Sequence, residues 1–519
     1  MRAILNGSLF WLCAAGALGT AGCSLAPDAV VPVTVAALPA EFEQADVAAA
    51  YRPLGWWETF DDPALDALVR QAVDRNLDLA QAVARVEQAR AQARIAGAPL
   101  SPEVGASVGA SRRDQPASGF GSGEFDGGGL GSDGEVPASV TGGPEERTRS
   151  ERFSASLDLS YELDFWGRVR NAENAAEARL GATVGDLQTV VLSVIAETIR
   201  AYFDILATRR RLDLVRPDVD LLRERAALTE RRYLRGLVDS FEFYAIQGEL
   251  RGAQAEIPRL ESRLYAARAR LATLLGRYPG ELGDVVGARS DRAPLSPPDP
   301  IPAGLPSALL IQRPDVRAAW LRLEAQRYEV GAARAALFPR FTISAGAGLR
   351  AGTAGGLFDL SNWFTSLTAG LTAPIFQGGR LRGEVDAAEA ALAEAAGNYA
   401  SSVLTAVREV ETALKDHETT AERYRLLARE LETARSRADL QLRRYTQGIG
   451  DYLGFLDSRR NVVAAREAVL QAERDLVEAR LAVHRSLGGV WIEEDLSDRI
   501  KALVAAATGE SRTERDRDA

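Results

Sequence analysis

Histidine, cysteine and methionine are almost missing from this chain of 519 residues, which has two His, two Cys and one Met. Metal centres draw on His and Cys, general bases on His, and thiol nucleophiles on Cys, so most metalloenzyme and cysteine-protease chemistry has no material here. No metal or cofactor is expected. Lysine is nearly absent too, occurring only at Lys415 and Lys501. That skew toward Arg reads as compositional bias, because a net charge of −10 argues against a general polyanion binder and no nucleic acid partner is expected. No stretch reaches the ~18 consecutive apolar residues that a membrane-spanning helix needs. If the chain crosses a membrane, strands must do it. What is present, 46% hydrophobic and 26% charged residues, is the composition of an ordered protein.

The N-terminus carries export signals. One basic residue, Arg2, precedes an apolar stretch from Leu9 to Leu18 and the small residues Gly19 to Gly22, the pattern of a signal peptide over 1–22. Cys23 follows directly, with Thr20 where a lipobox usually has Leu. Two readings fit: acylation of Cys23 as the new N-terminus, or cleavage at a plain secretory site. The first is favoured, and Ser24 in place of Asp resembles lipoproteins sorted to the outer membrane of a Gram-negative cell. Cys13 leaves with the signal, so the mature chain holds no disulfide.

The remainder is one unit written twice. Leu159 to Leu180 superimposes on Leu371 to Leu392 at an offset of about 212 positions, which also brings Arg231 to Gly236 onto Arg443 to Gly448. Earlier in each half, Asp78 to Pro102 matches Asp315 to Pro339 at an offset of about 237. The difference falls in a Gly/Ser/Glu-rich loop. We delimit an N-terminal segment 23–62, a first repeat 63–287, a linker 288–305, a second repeat 306–490 and a tail 491–519.

Each half reads helix, strand, loop, strand, long helix, helix. Glu151 to Leu163 alternates strictly, with Phe153, Ala155, Leu157, Leu159, Tyr161 and Leu163 on one face. Four such strands are expected, near 103–111, 152–163, 340–350 and 363–373, with 112–151 as an extracellular loop; their length suits a tilted crossing of a bilayer. Asn171 to Arg235 and Glu384 to Gln447 are rich in Ala, Arg, Glu and Leu and predict helices of about 100 Å at 1.5 Å per residue, with Pro217 a kink candidate. In the last helix Leu456, Val463, Leu470 and Val477 recur every seven residues, beside Val462, Val469, Leu476 and Val483. Such a repeat implies coiling against neighbouring helices.

Four strands cannot close a membrane barrel, for which about eight is the minimum, and an open edge in lipid leaves backbone groups unpaired. Chains must associate. The fold expected is mainly α with a membrane β-barrel: a homotrimer whose twelve strands, four per chain, form a barrel continued by a long periplasmic α-helical barrel.

The assembled motifs closely resemble the outer-membrane factor family of TolC-like and OprM-like channels, especially its NodT-type lipoprotein branch. They are Trp56 to Pro63 (WWETFDDP), Tyr161 to Arg168 (YELDFWGR), Pro374 to Arg380 (PIFQGGR) and two Arg-Tyr-x-x-Gly turns. The resemblance covers nearly everything from Trp56 to Leu487. It implies a passive exit duct of a tripartite efflux system, lipid-anchored in the outer membrane, conducting drugs or other small toxic molecules from a periplasmic adaptor and an inner-membrane transporter of the resistance-nodulation-division type. A type I protein-secretion duct is the alternative.

Gly236 and Gly448 end the long helices and mark the periplasmic hairpins. Asp239, with Glu242 as a capping box, and Asp451 read first as helix caps. In a trimer each carboxylate becomes three, and an acidic ring at a constriction favours cations; Asp239, Asp451 and Asp457 are the gate candidates, Asp457 holding the family's position above the tip. Asp164, Trp166, Gly167, Gly378 and Gly379 sit where strand turns into helix, and Trp166 and Trp363 have a second reading as membrane-interface rings. Gly105 to Gly109 matches the Gly-x-Ser-x-Gly hydrolase pattern, but Ser107 lies in alternating strand sequence and not in a strand-to-helix turn. His417 and His484, the only possible bases, fall in helical stretches. No enzyme is expected.

Overall fold

The computed structural model describes residues 24–28, 57, 60, 62–116, 147–281 and 313–488. The signal peptide, Cys23, most of the 56–63 motif, the Gly/Ser-rich loop from 117, the linker and the tail lie outside them. Packing divides the chain into two compact units.

The first unit contains residues 94–173 and 329–386 and is built on one antiparallel sheet in the order β1-β2-β3-β4. The strands are β1 (Glu103–Pro116), β2 (Arg147–Leu163), β3 (Arg340–Ala351) and β4 (Trp363–Thr372). β1 pairs Glu103 with Ser160 and runs to Pro116 opposite Arg147; β2 then pairs Leu163 with Phe341, and β3 pairs Arg340 with Thr372. Because side chains alternate, Val104, Leu157, Ala347 and Leu367 share one face and Ser107, Asp158, Ser344 and Ser366 the other. The apolar face is exposed, with Val108 at 83% and Leu367 at 79%, as a surface meant for lipid would be.

The first hairpin is longer than its apolar pattern. Residues 112–116 and 147–151, read as loop, extend β1 and β2. A ladder needs only backbone N–H and C=O groups, so pairing continues after alternation gives way to charge; Arg112 lies 3.7 Å from both Asp114 and Glu151.

The second unit is helical. Helices α1 (Pro63–Arg75) and α2 (Leu77–Gly97) precede the first two strands, α3 (Arg168–Leu234) and α4 (Ser240–Leu274) follow them, α5 (Pro314–Ala335) leads into β3, and α6 (Arg380–Thr446) and α7 (Tyr452–Ser486) follow β4. α3 and α6 are each 67 residues long. Both begin ahead of the predicted starts at Asn171 and Glu384: a glycine turn leads into each, and at α3 a remote cap at Asp164 satisfies first-turn amides. α3 is continuous through Pro217.

The largest core gathers Trp57, Leu65, Val69 and Val86 with Ile195, Ile199 and Tyr202 of α3, Leu271 of α4 and Leu481 of α7. A second packs Val316 and Leu323 against Tyr399, Val403 and Val410 of α6 and Val483 of α7. Smaller seams follow within each helical pair: Leu212, Val215, Val219 and Leu260 join α3 to α4, and Tyr424, Leu431, Val469 and Ala472 join α6 to α7. The heptad positions Val469, Leu476 and Val483 are buried, as the seven-residue repeat requires.

Candidate functional site

The same turn closes both long helical pairs. At the first, Gly236 has φ +71°, its N–H donates to Tyr233 O at 2.9 Å, and Leu237 N–H reaches back to Arg232 O at 2.9 Å. At the second, Gly448 has φ +76°, with bonds to Tyr445 O at 3.0 Å and from Ile449 N–H to Arg444 O at 2.9 Å. Only a residue without Cβ takes this left-handed position at no steric cost, and the bonds satisfy carbonyls that the helix end leaves open.

The three acidic candidates have different surroundings. Asp239 is the N-cap of α4, its carboxylate accepting from Glu242 N–H at 2.8 Å, the first of the two bonds of a capping box. Asp451 caps α7 by accepting from Gly454 N–H at 2.7 Å. Asp457, further along α7, is no cap: it pairs with Arg225 of α3 at 2.8 Å. Arg225 also approaches Glu249 of α4 at 3.6 Å, and Glu249 is held by Arg460 of α7 at 2.8 Å. The Tyr452 hydroxyl donates to Glu224 of α3, which raises the phenol pKa to about 12 chiefly through that bond. The tip of the second pair is thus tied to the first by Tyr452–Glu224, Asp457–Arg225 and Arg460–Glu249.

Sequence reasoning missed Arg225, Glu224, Glu249, Tyr452 and Arg460. The repeat pattern holds no sign that α7 lies on α3. Around these turns apolar side chains face outward: Leu234 at 77% and Phe241 at 81% exposure, with Leu237, on the first, and Ile449 on the second.

The strand-to-helix junctions are built from local bonds. Asp164 accepts from Val169 N–H at 3.1 Å and Arg170 N–H at 2.8 Å, satisfying amides in the first turn of α3. Gly167 (φ +73°) makes the turn, and Arg168 forms a two-pronged pair with Glu162 at 3.0 and 2.9 Å. Trp166 donates from Nε1 to Pro339 O at 2.9 Å and stacks on Phe338 with centroids 4.7 Å apart. Its ring holds the first repeat's junction to the start of the second repeat's sheet, whereas Trp363 is exposed at the start of β4. Gly378 and Gly379 (φ +59° and +85°) form the corresponding turn of the second repeat.

Ser107 lies inside β1, opposite Ser156 and within 3.0 Å of its hydroxyl. That is sheet wall and not a nucleophile elbow. His417 and His484 lie in α6 and α7, and burial first, then the positive charge of Arg480, lowers both pKa values. Among the described residues no group of three or more His, Cys, Asp or Glu could hold a metal ion, and no helix is long and apolar enough to cross a membrane.

Residues 68–277 and 305–489 match the sequence profile of the outer membrane efflux protein family. The chain is 36% identical over 437 residues to the pyoverdine export outer membrane protein OpmQ of Pseudomonas putida strain KT2440, covering 84% of this chain and 88% of that one. It is 29% identical to the toluene efflux pump outer membrane protein TtgF of another P. putida strain, over 93% of this chain and 97% of the other. A solved structure of the outer-membrane channel OprN superimposes with a TM-score of 0.77 at 30% identity, covering 90% of this chain and all of that one.

Proposed function

This chain belongs to the outer membrane efflux protein family, and from that premise we propose how its own side chains gate, dock and anchor the duct. It is the outer-membrane exit duct of a tripartite efflux system of Gram-negative bacteria, a homotrimer of twelve strands continued by a helical barrel into the periplasm, working with a periplasmic adaptor and an inner-membrane pump.

The cargo in this reading is small molecules, as the pyoverdine and toluene of two relatives' names suggest, and the pump is of the resistance-nodulation-division type, which the lipoprotein-like N-terminus supports. The duct carries no chemistry of its own. The adaptor docks on the hairpin tips, where Leu234, Leu237, Phe241 and Ile449 offer apolar surface.

The gate reading rests on one observation: of the two acidic residues on the second hairpin, Asp451 only caps a helix while Asp457 is paired to α3. Asp451, in three copies, supplies the ring that favours cations. Asp457, with Tyr452, holds the closed position of the second hairpin against the first. An exposed pair of this kind contributes roughly 0–1 kcal/mol, enough in three copies to shift an equilibrium between open and closed states.

Single-channel recording in planar bilayers tests this. Asp451→Asn should lower cation preference with open time little changed. Asp457→Asn should raise open probability, and Asp239→Asn should reduce stability more than conductance. If the Asp451→Asn/Asp457→Asn double variant matches wild type in selectivity and gating, these residues are caps and surface charge only.

A further inference from the structure

We propose that Asp158 makes the membrane barrel a second cation-selective element, separate from the periplasmic gate. The proposal rests on the barrel reading above, in which the polar face of the sheet lines the lumen. Asp158 lies mid-strand on that face of β2. Its register neighbours are Gly105 on β1 and Gly346 on β3, so the carboxylate stands between two positions without side chains.

Hydroxyls surround it. Ser156 Oγ donates to Asp158 Oδ2 at 2.9 Å, and Ser107 Oγ reaches the same oxygen at 3.4 Å. On the other flank a Cβ at Gly346 would lie 3.1 Å from Asp158 Oδ1 and 2.9 Å from Ser366 Oγ, so the bare backbone there is what lets the carboxylate lie along the wall. Among the described residues no Arg or Lys pairs with Asp158. The contrast is Glu162 on the same face, whose charge is taken up by Arg168 at 2.9 Å.

The next charges on this face, toward the loop end, are Arg152 and Arg350, the latter 4.6 Å over the Phe364 ring. The wall therefore runs from Glu103 and the compensated Glu162 at the helical end of the strands, through the bare Asp158, to a cationic rim. Three chains place three bare carboxylates at one height in a water-filled pore with low-dielectric walls, where such a ring concentrates cations and raises the barrier to anions.

The test is the reversal potential of reconstituted trimers across a KCl gradient. Asp158→Asn, which keeps size and hydrogen bonding, should lower the cation-to-anion permeability ratio by about twofold near 0.1 M salt, where the screening length is about 10 Å, with little effect at 1 M. The measurement is made in wild type and in the Asp451→Asn background, so that the gate cannot mask the barrel. Asp158→Cys supplies the second readout. Extracellular addition of an anionic, membrane-impermeant thiol reagent should restore cation preference to this variant, and a cationic one should reverse it. An unchanged ratio for Asp158→Asn in both backgrounds, or a thiol in the Asp158→Cys variant that charged reagents cannot reach, overturns the inference while conductance leaves the duct intact. Absence of conductance in both wild type and the gate-opening Asp457→Asn variant would instead overturn the duct reading itself.

Discussion

His484 is buried in α7, and its pKa falls to about 3 because burial disfavours the imidazolium, with the charges of Arg480 and His417 adding to the effect. The unfolded value is about 6.5, so above that pH both states are neutral and the residue contributes no pH dependence. As pH falls from about 6.5 toward about 3, the unfolded chain binds a proton that the folded one refuses, and stability is lost across that window. We expect the wild-type melting temperature to decline more steeply between about pH 6.5 and 4 than that of His484→Gln. Equal slopes in thermal scans of the two proteins would refute the assignment. At this scale the sequence is readable where the partner is local. Asp239 and Asp451 are recognisable as caps because each accepts from an amide three positions on, whereas the Asp457–Arg225 pair joins residues from different repeats and carries no local pattern.

Secondary-structure elements are legible in kind more than in extent. Period-two alternation locates all four strands, since one face has to be apolar, but it cannot show that the first hairpin ladder continues through Arg112 and Arg113 into Pro116. The heptads of α7 show a seam without naming the helix across it. That helix is in part α3, along which Arg200–Glu478, Asp204–Arg474, Arg210–Glu473 and Arg211–Glu467 form an ion-pair ladder at 2.9, 2.6, 3.2 and 3.2 Å. Hairpin turns are the clearest signals, because a left-handed residue at a helix end calls for Gly. At Gly448, φ is +76° and no atom lies within 4 Å of a Cβ built there, so substitution costs backbone strain alone. Gly448→Ala should destabilise the hairpin by roughly 1–2 kcal/mol. Hydrogen exchange of the amides around 445–454 would report it as faster local opening; unchanged exchange would mean that the turn relaxes without cost.

For the whole molecule, the internal repeat is the decisive sequence feature: two strands written twice give each chain half of the smallest membrane barrel, and unpaired backbone in lipid then forces an oligomer. Anchoring is the least local part of the design. Cys23 lies outside the described residues, but its neighbour Ser24 donates from Oγ to Asn171 Oδ1 at 2.8 Å, at the first turn of α3 just past the strand-to-helix junction. Ala26 packs so closely on Gly331 that a Cβ there would come within 2.8 Å of both the Ala26 amide and Asn171 Nδ2. One residue spans at most about 3.6 Å, so an acylated N-terminus, the expectation from the sequence, would attach next to this contact at the start of α3. If Cys23 carries two or more acyl chains, which bind a bilayer far more firmly than one, the lipid would act as a positioning device for the strands. Intact-mass measurement of the mature protein should show a chain beginning at Cys23 and carrying acyl groups, and Cys23→Ser should lose them and assemble fewer heat-resistant trimers in outer-membrane fractions. A mature mass matching cleavage elsewhere, or an unmodified Cys23, would leave Ser24 and Ala26 as an ordinary packed segment and remove the lipid from the mechanism of assembly.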